Sequence, residues 1–352
     1  MDLIENTIEK ITPLDTEAMN LAQTRQNLLT KPQGSLGVLE TLSIQIAGIT
    51  GQSQPKITDK SIITMAGDHG VTSEGVSAFP SEVTPQMVFN FLNGGAGINV
   101  LARHIDATVT VVDMGVACEM PDDPRLVKRK IAFGTKNMAV QPAMTLDQAR
   151  KSVETGIEIA NTAVKNGATI IGTGDMGIGN TTPSAAITSV VTGVSPFEAT
   201  GRGTGIEGEA FERKVRTVEK AISLHNPDSS NGLDILAKVG GFEIGGIAGV
   251  ILGAAANKTP VVIDGYISGA AALIASLIAP DCREYLIASH LSVERGHKAV
   301  LEYLSLKPIL DLDLRLGEGT GAALAITIAE AACKILSEMA TFEEANVSEK
   351  SA

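Results

Sequence analysis

The sequence predicts an α/β protein, a Rossmann-like and mostly parallel sheet with helices on both faces. Three observations predict it. Short β-branched runs alternate with longer helical patterns along most of the 352 residues. Small residues dominate, with 36 Gly against 3% aromatics and no Trp, which favours close helix–sheet packing over aromatic platforms. Polar residues and glycines also collect directly after the strand-like runs, where such sheets bind ligands.

The elements follow in order. Two helices open the chain, over about 16–29 and 36–49, separated by "LTKPQGSLG", where Pro and Gly break a helix. Strands are expected at "SIITMA" from Ser61 and "ATVTVVDMG" from Ala107. A long helix runs from Leu146 to Gly167, a residue suited to a C-cap. Further strands are "ATIIGTG" from Ala168, "TPVVID" from Thr259, "YLIAS" from Tyr285 and the alternating "ILDLDLRL" from Ile309. Between the last two, "SVERGHKAVLEYLS" from Ser292 reads as a helix. The apolar runs 244–256 and 265–280 fall short of the roughly 18 residues of a membrane span and read as core helices. The polar tail "TFEEANVSEKSA" is expected to fray. No repeat or low-complexity linker marks a domain boundary.

Composition narrows the function. A net charge of −12 argues against a nucleic-acid groove. Cys118, Cys282 and Cys333 lie far apart and form no CxxC pair, which suits a reducing cytosol. The opening "MDLIENTIEK" is acidic and lacks an apolar h-region, so a cytoplasmic protein is expected. The five histidines, His69, His104, His225, His290 and His297, show no HExxH spacing and no cysteine joins them, so no metal site is expected. No G-x-S-x-G elbow supports a serine hydrolase.

Two stretches carry chemistry. "GTGDMGIGNTTPSAAI" starts at Gly172 after a strand, and Gly172, Gly174 and Gly177 fit GxGxxG. Thr181 and Thr182 can cap the helix that follows, with Pro183 in its first turn. Such a loop offers unpaired N–H groups and a positive dipole end to a phosphate. A dinucleotide fold also needs an acidic strand end about 20 residues on. The chain there reads "TGVSPFEATG", which favours a mononucleotide phosphate, with a mere tight turn as the other reading. Asp175 would repel phosphate, so it either meets a ribose hydroxyl or ring or caps the backbone. The second stretch is "DLRLGEGTGAALAITIAEAA" from Asp313, which sets one carboxylate, Glu318, between two glycines at the mouth of an apolar helix. It is either a working carboxylate or a helix-end acid favoured by the dipole.

Several motifs appear in order: "KPQGSLGVLE" from Lys31, "AGDHGV" from Ala66, "GVSAFPSEVTPQM" from Gly75, "GDMGIGNTTP" from Gly174, "KVGGFEIGGIAGVILGAA" from Lys238, "DGYISGAAAL" from Asp264, "SHLSVERGH" from Ser289 and "RLGEGTGAALA" from Arg315. Together they resemble the nicotinate-nucleotide–dimethylbenzimidazole phosphoribosyltransferase family over nearly the whole chain. The resemblance implies a large Rossmann-like domain over 51–329, a small helical domain from 1–50 and 330–352, and a homodimer. It implies transfer of a 5-phosphoribosyl group from nicotinate mononucleotide to 5,6-dimethylbenzimidazole, without cofactor or metal, and without a nucleic-acid or membrane partner.

Residue by residue, the resemblance makes Glu318 the catalytic base. Leu316 and Met176 would sandwich the flat ring, and Phe79 and Gln86 would form the rim of its pocket. Gly177, Gly179, Asn180 and Thr181 would hold the phosphate. Lys214 in "FERKVRTVEK" would add positive charge, although it also reads as an ordinary helix-surface lysine. Gly265 and Ser292 would be further nucleotide contacts. Arg315 would pair with the nicotinate carboxylate or with Asp313. The family often has Glu at the position of Asp175, one methylene longer.

Overall fold

In the computed structural model, which describes residues 2–348, six strands form one sheet. They are β1 Lys60–Gly67, β2 Ala107–Gly115, β3 Leu126–Lys128, β4 Ile170–Met176, β5 Val261–Ile263 and β6 Leu286–Ala288. The spatial order is β3-β2-β1-β4-β5-β6, and every pairing is parallel. The chain builds outward from β1 to β3, then returns to the other flank of β1 at β4. The order therefore reverses between β1 and β4, the place where open parallel sheets leave a crevice beyond their carboxyl ends.

Alternation along the strands divides the core into two layers. Ile63, Met65, Val112, Met114 and Ile171 join a cluster with the helices Leu146–Lys165, Phe242–Ala256 and Tyr266–Ile278. Ile62, Ala66, Val111, Ile170 and Val262 join the other, with the helices Val83–Leu92, Gly97–His104 and Thr320–Glu338. The abundance of small residues has a direct use here. A Cβ at Gly156 would lie 1.9 Å from the Gly246 carbonyl oxygen, and one at Gly249 would lie 1.9 Å from that of Val153. The helices Leu146–Lys165 and Phe242–Ala256 thus cross with their backbones in contact.

The two chain ends meet. The helices Thr16–Leu28 and Val38–Thr50 pack on Thr320–Glu338, with Ala22, Ala47 and Leu336 buried between them. Arg25 Nε donates to the Leu336 carbonyl at 2.6 Å, and Thr30 N to that of Ala340 at 3.0 Å. Among the described residues one helix, Thr320–Glu338, is long and apolar enough to cross a membrane. It instead buries Ala322, Ala325, Ile326 and Ala329 in the core, and its Glu330 pairs with Lys60 at 2.7 Å.

Three expectations need correction, and one strand went unforeseen. "ILDLDLRL" is not a strand: Leu310 makes one parallel bridge to His290, and the chain then leaves the sheet. Beyond that point it has no strand ladder, only a bond from Val293 N to the Leu314 carbonyl at 3.4 Å; Leu312 is exposed, and Asp313 takes a φ of +54°, which ends extended backbone. β3 was not expected, because three residues in a charged, Pro-containing stretch carry no period. Ser292–Gly296 is irregular, and the helix behind it is only His297–Leu304. The tail, expected to fray, forms a short helix Phe342–Ala345 with a capping box between Thr341 and Glu344; residues 349–352 lie outside the described residues.

Candidate active site

A cleft of about 610 Å³ opens where the strand order reverses. Its walls come from the segments after β1, β4, β5 and β6 and from the loop before Thr320–Glu338. Of the residues expected there, Phe79, Asp175, Met176, Gly177, Gly179, Asn180, Thr181, Gly265, Ser292, Arg315, Leu316 and Glu318 all line it. Gln86 does not. It is exposed on the helix Val83–Leu92, whose cleft-facing positions are Val83 and Met87, one turn apart.

The glycine loop holds one end. Gly172 and Gly174 prove to be strand residues of β4, so the GxGxxG spacing is not a loop fingerprint. A Cβ at Gly174 would lie 2.3 Å from the Glu318 carbonyl oxygen, which explains that glycine by packing. The turn itself is Gly177 to Asn180, with Gly179 at φ +89°, and it feeds the helix Thr181–Thr192. No side chain caps this helix end; Thr182 N and Ser184 N donate to the Gly179 and Asn180 carbonyls at 3.0 and 3.1 Å, and a helix N-terminus favours an anion near it. Lys214 is not a surface lysine: it is 0% exposed. Its Nζ donates to Thr181 Oγ1 at 2.7 Å and to the Gly201 carbonyl at 3.2 Å. Burial pushes its pKa down to about 8.

The loop 201–205 closes over this corner and was missed from sequence, although "GRGTG" is a visible glycine run. Glu294, also missed, fixes it by accepting from Gly203 N at 2.8 Å. Arg315 donates to the Gly203 carbonyl at 3.2 Å instead of pairing with Asp313.

Another part of the wall is apolar. Phe79, Val83, Met87, Met176 and Leu316 line it, and Phe79 and Leu316 remain 54% and 60% exposed. Large apolar side chains left open at a cleft mouth suit a flat ring.

Carboxylates form the floor. Gly317, Glu318 and Gly319 all have positive φ, at 80°, 65° and 96°. For Glu318 that conformation costs of order 1–3 kcal/mol, and such strain concentrates at working sites. Its backbone is held by Asp175 O, which accepts from Glu318 N at 3.2 Å, and by Thr64 Oγ1, which donates to Glu318 O at 3.0 Å. The carboxylate does not serve its own helix. Glu318 Oε2 accepts from Ile98 N at 3.1 Å, at the start of the neighbouring helix Gly97–His104. Asp264 instead serves Thr320–Glu338, accepting from Gly319 N, Gly321 N and Ala322 N at 3.1, 2.7 and 3.0 Å. Burial raises the Glu318 pKa and outweighs the N–H groups of Ile98 and Gly97, which lower it.

Among the described residues Asp175 caps no backbone group. Its Oδ2 accepts from Asn180 Nδ2 at 2.9 Å. Burial, then the nearby Asp264 carboxylate, pushes its pKa up to about 8. Burial likewise brings Asp264 to about 7. His290 lines the cleft in neutral form, because burial lowers its pKa to about 4. Ser289 Oγ donates to the Asp264 carbonyl at 2.5 Å, so it accepts from His290 Nδ1 at 2.9 Å and leaves Nε2 as an acceptor. Among the described residues no group of three His, Cys, Asp or Glu is placed to hold a metal ion.

A stability prediction follows from these carboxyls. Their folded pKa values lie above the ordinary 3.8, so their stabilisation is complete below that value and is lost as pH rises through about 7 to 8. Between pH 7 and 8 the melting temperature of the free protein should fall by roughly 2 °C. Calorimetry of Asp175→Asn should show a flatter profile; an unchanged slope would remove Asp175 from this account.

A glycine turn at a helix N-terminus, apolar side chains and a buried carboxylate share one cleft at the switch point of a doubly wound sheet, the arrangement of an α/β enzyme that binds a small molecule. A family model described as phosphoribosyltransferase matches residues 11–347. Proteins named nicotinate-nucleotide–dimethylbenzimidazole phosphoribosyltransferase are similar along their whole length. That of Chloroflexus aggregans is 59% identical over 350 residues, covering 99% of each chain. That of Geobacter sulfurreducens is 55% identical over 349 residues, again covering 99% of each. The crystal structure of CobT from Thermus thermophilus matches with a TM-score of 0.92 at 46% identity, covering 95% of this chain and 100% of that one. The chain belongs to the nicotinate-nucleotide–dimethylbenzimidazole phosphoribosyltransferase family, as its motifs led one to expect, and is an enzyme of that kind.

Proposed function

We propose that the enzyme moves the 5-phosphoribosyl group of nicotinate mononucleotide to 5,6-dimethylbenzimidazole, giving α-ribazole 5′-phosphate and nicotinate, with Glu318 as general base. The supporting observation is the spacing of unlike chemistries in one cleft. Glu318 and a set of apolar side chains line the same cleft as the glycine turn, behind which Lys214 bonds Thr181. The 5′-phosphate sits on Gly177, Gly179, Asn180 and Thr181, with Lys214 behind Thr181. The ribose lies between, near Gly265 and Ser292. The ring lies between Leu316 and Met176, with Phe79 at the rim. Asp175, mostly protonated at neutral pH, donates or accepts a hydrogen bond there without repelling the substrate.

One benzimidazole nitrogen attacks the anomeric carbon. The bond from that carbon to the pyridinium nitrogen breaks, and its electron pair leaves with nicotinate. The second benzimidazole nitrogen gives its proton to Glu318, whose raised pKa suits it to accept one. The leaving nitrogen is already cationic, so it needs neither an acid nor a metal to depart. Turnover is therefore expected to survive exhaustive chelation, and a strict requirement for added Mg²⁺ would overturn this mechanism. The whole reading is tested by incubating the protein with both substrates and measuring nicotinate release. It takes the enzyme to be a cytoplasmic homodimer, with 1–50 and 330–352 as a helical unit beside 51–329. Light scattering tests the dimer.

A further inference from the structure

Behind the glycine loop lies a buried ionic pair with no part in the chemistry above. His69 follows β1, and Glu243 sits in the first turn of the helix Phe242–Ala256. His69 Nε2 and Glu243 Oε1 are 2.6 Å apart, and neither side chain is more than 1% exposed. His69 Nδ1 and Glu243 Oε2 have no hydrogen-bond partner among the described residues. Burial alone would push the imidazole toward its neutral form, but the Glu243 carboxylate and Asp68 outweigh it and hold the His69 pKa up. Taking both groups out of water is costly, and a buried pair of this kind is a poor source of stability. Its contacts suggest another use.

The pair rests against Gly177. A Cβ there would lie 2.4 Å from the Gly67 carbonyl oxygen, 3.2 Å from His69 Nε2 and 3.4 Å from Glu243 Oε1. The next residue is fixed as well, since Ile178 N donates to Thr84 Oγ1 at 3.1 Å. Immediately beyond, Gly179, Asn180 and Thr181 face the cleft. The carboxylate is itself seated by missing side chains: a Cβ at Gly241 would lie 2.6 Å from Glu243 Oε2, and one at Gly67 3.2 Å. Glycines from three separate segments make room for this pair.

We propose that His69 and Glu243 are positioning residues for the phosphoribosyl donor: they form the back wall of Gly177 and so set where the donors at 179–181 meet a phosphomonoester. The proposal rests on the phosphate assignment above. Removing only one partner would strand a buried charge, so the main test is the double variant His69→Leu/Glu243→Met. Apolar replacement of a whole buried pair is often neutral or stabilising. Its melting temperature should hold, while KM for nicotinate mononucleotide rises roughly 10- to 100-fold, as expected when a site is misplaced by about an ångström. KM for dimethylbenzimidazole should stay within about twofold, since the pair backs Gly177 rather than the apolar side chains of the wall.

His69→Gln, which keeps a donor toward Glu243, should recover most of the donor affinity. Wild-type kinetics in the folded double variant, or equal loss for both substrates, would overturn the proposal. If wild-type protein releases no nicotinate, the assigned reaction fails. The positioning role is then decided with inorganic phosphate, by calorimetry. Weaker phosphate binding by the double variant supports it, and equal binding overturns it.

Discussion

Glu318→Gln is expected to lower turnover by roughly 10²–10⁴-fold, the range for loss of a positioned proton acceptor. Both KM values should change little, because the lost interaction belongs to the transition state. The geometry makes this a clean substitution. A glutamine still offers an oxygen to Ile98 N, and the backbone bonds to Asp175 and Thr64 do not involve the side chain. The left-handed backbone is kept, so strain is unchanged. The pH profile adds a second readout. Burial sets the Glu318 pKa above its ordinary 4.5, and the base works only when deprotonated. Activity should therefore fall on acidification through a limb lying above that value. The free benzimidazole also protonates on the acid side, so the two limbs overlap in the wild type. In Glu318→Gln the enzyme's limb should vanish and the substrate's should stay. Wild-type turnover in the variant would make Glu318 a cap for Gly97–His104 only, and Asp175, its pKa already near 8, becomes the next candidate base.

Much of this was legible because strand ends are local. Asp175, Gly265 and Ser292 follow strand-like runs in the sequence and meet in space for that reason. Glu318 stood out because a carboxylate between two glycines before an apolar helix is locally unusual. What escaped was set by contacts distant in sequence. Glu294 reads as an ordinary acid, and only the loop 201–205 folding over it gives it a partner. Gly174 looked like a phosphate glycine, yet it is small because the Glu318 backbone lies on it. Gln86 fell one position from the cleft-facing stripe of its helix, a distinction that needs the helix phase. "ILDLDLRL" had the period of a strand, but period cannot supply a neighbouring strand to pair with. The helix-dipole reading of Glu318 failed for a related reason. The helix it caps begins about 220 residues earlier in the chain.

Lys214→Met should weaken nicotinate mononucleotide binding by roughly 10- to 150-fold, the ~1.5–3 kcal/mol of a hydrogen bond to a charged group. Dimethylbenzimidazole binding should change little, because the bonds Lys214 makes go to Thr181 and Gly201 and not to the apolar side chains of the wall. Methionine nearly matches the length of the stem and fills the buried site without a charge. The fold should not suffer, since an ammonium with 0% exposure is itself costly to desolvate. pH gives a test that a purely structural lysine would fail. Burial holds the free enzyme's Lys214 at about 8, so it is cationic below that pH and neutral above it. The wild-type kcat/KM for nicotinate mononucleotide should therefore decline above about pH 8, and that alkaline limb should be absent in the variant. The competing role is to hold Thr181 and the Gly201 carbonyl in place. In that case Lys214→Met would disturb both substrates together and leave the limb where it was.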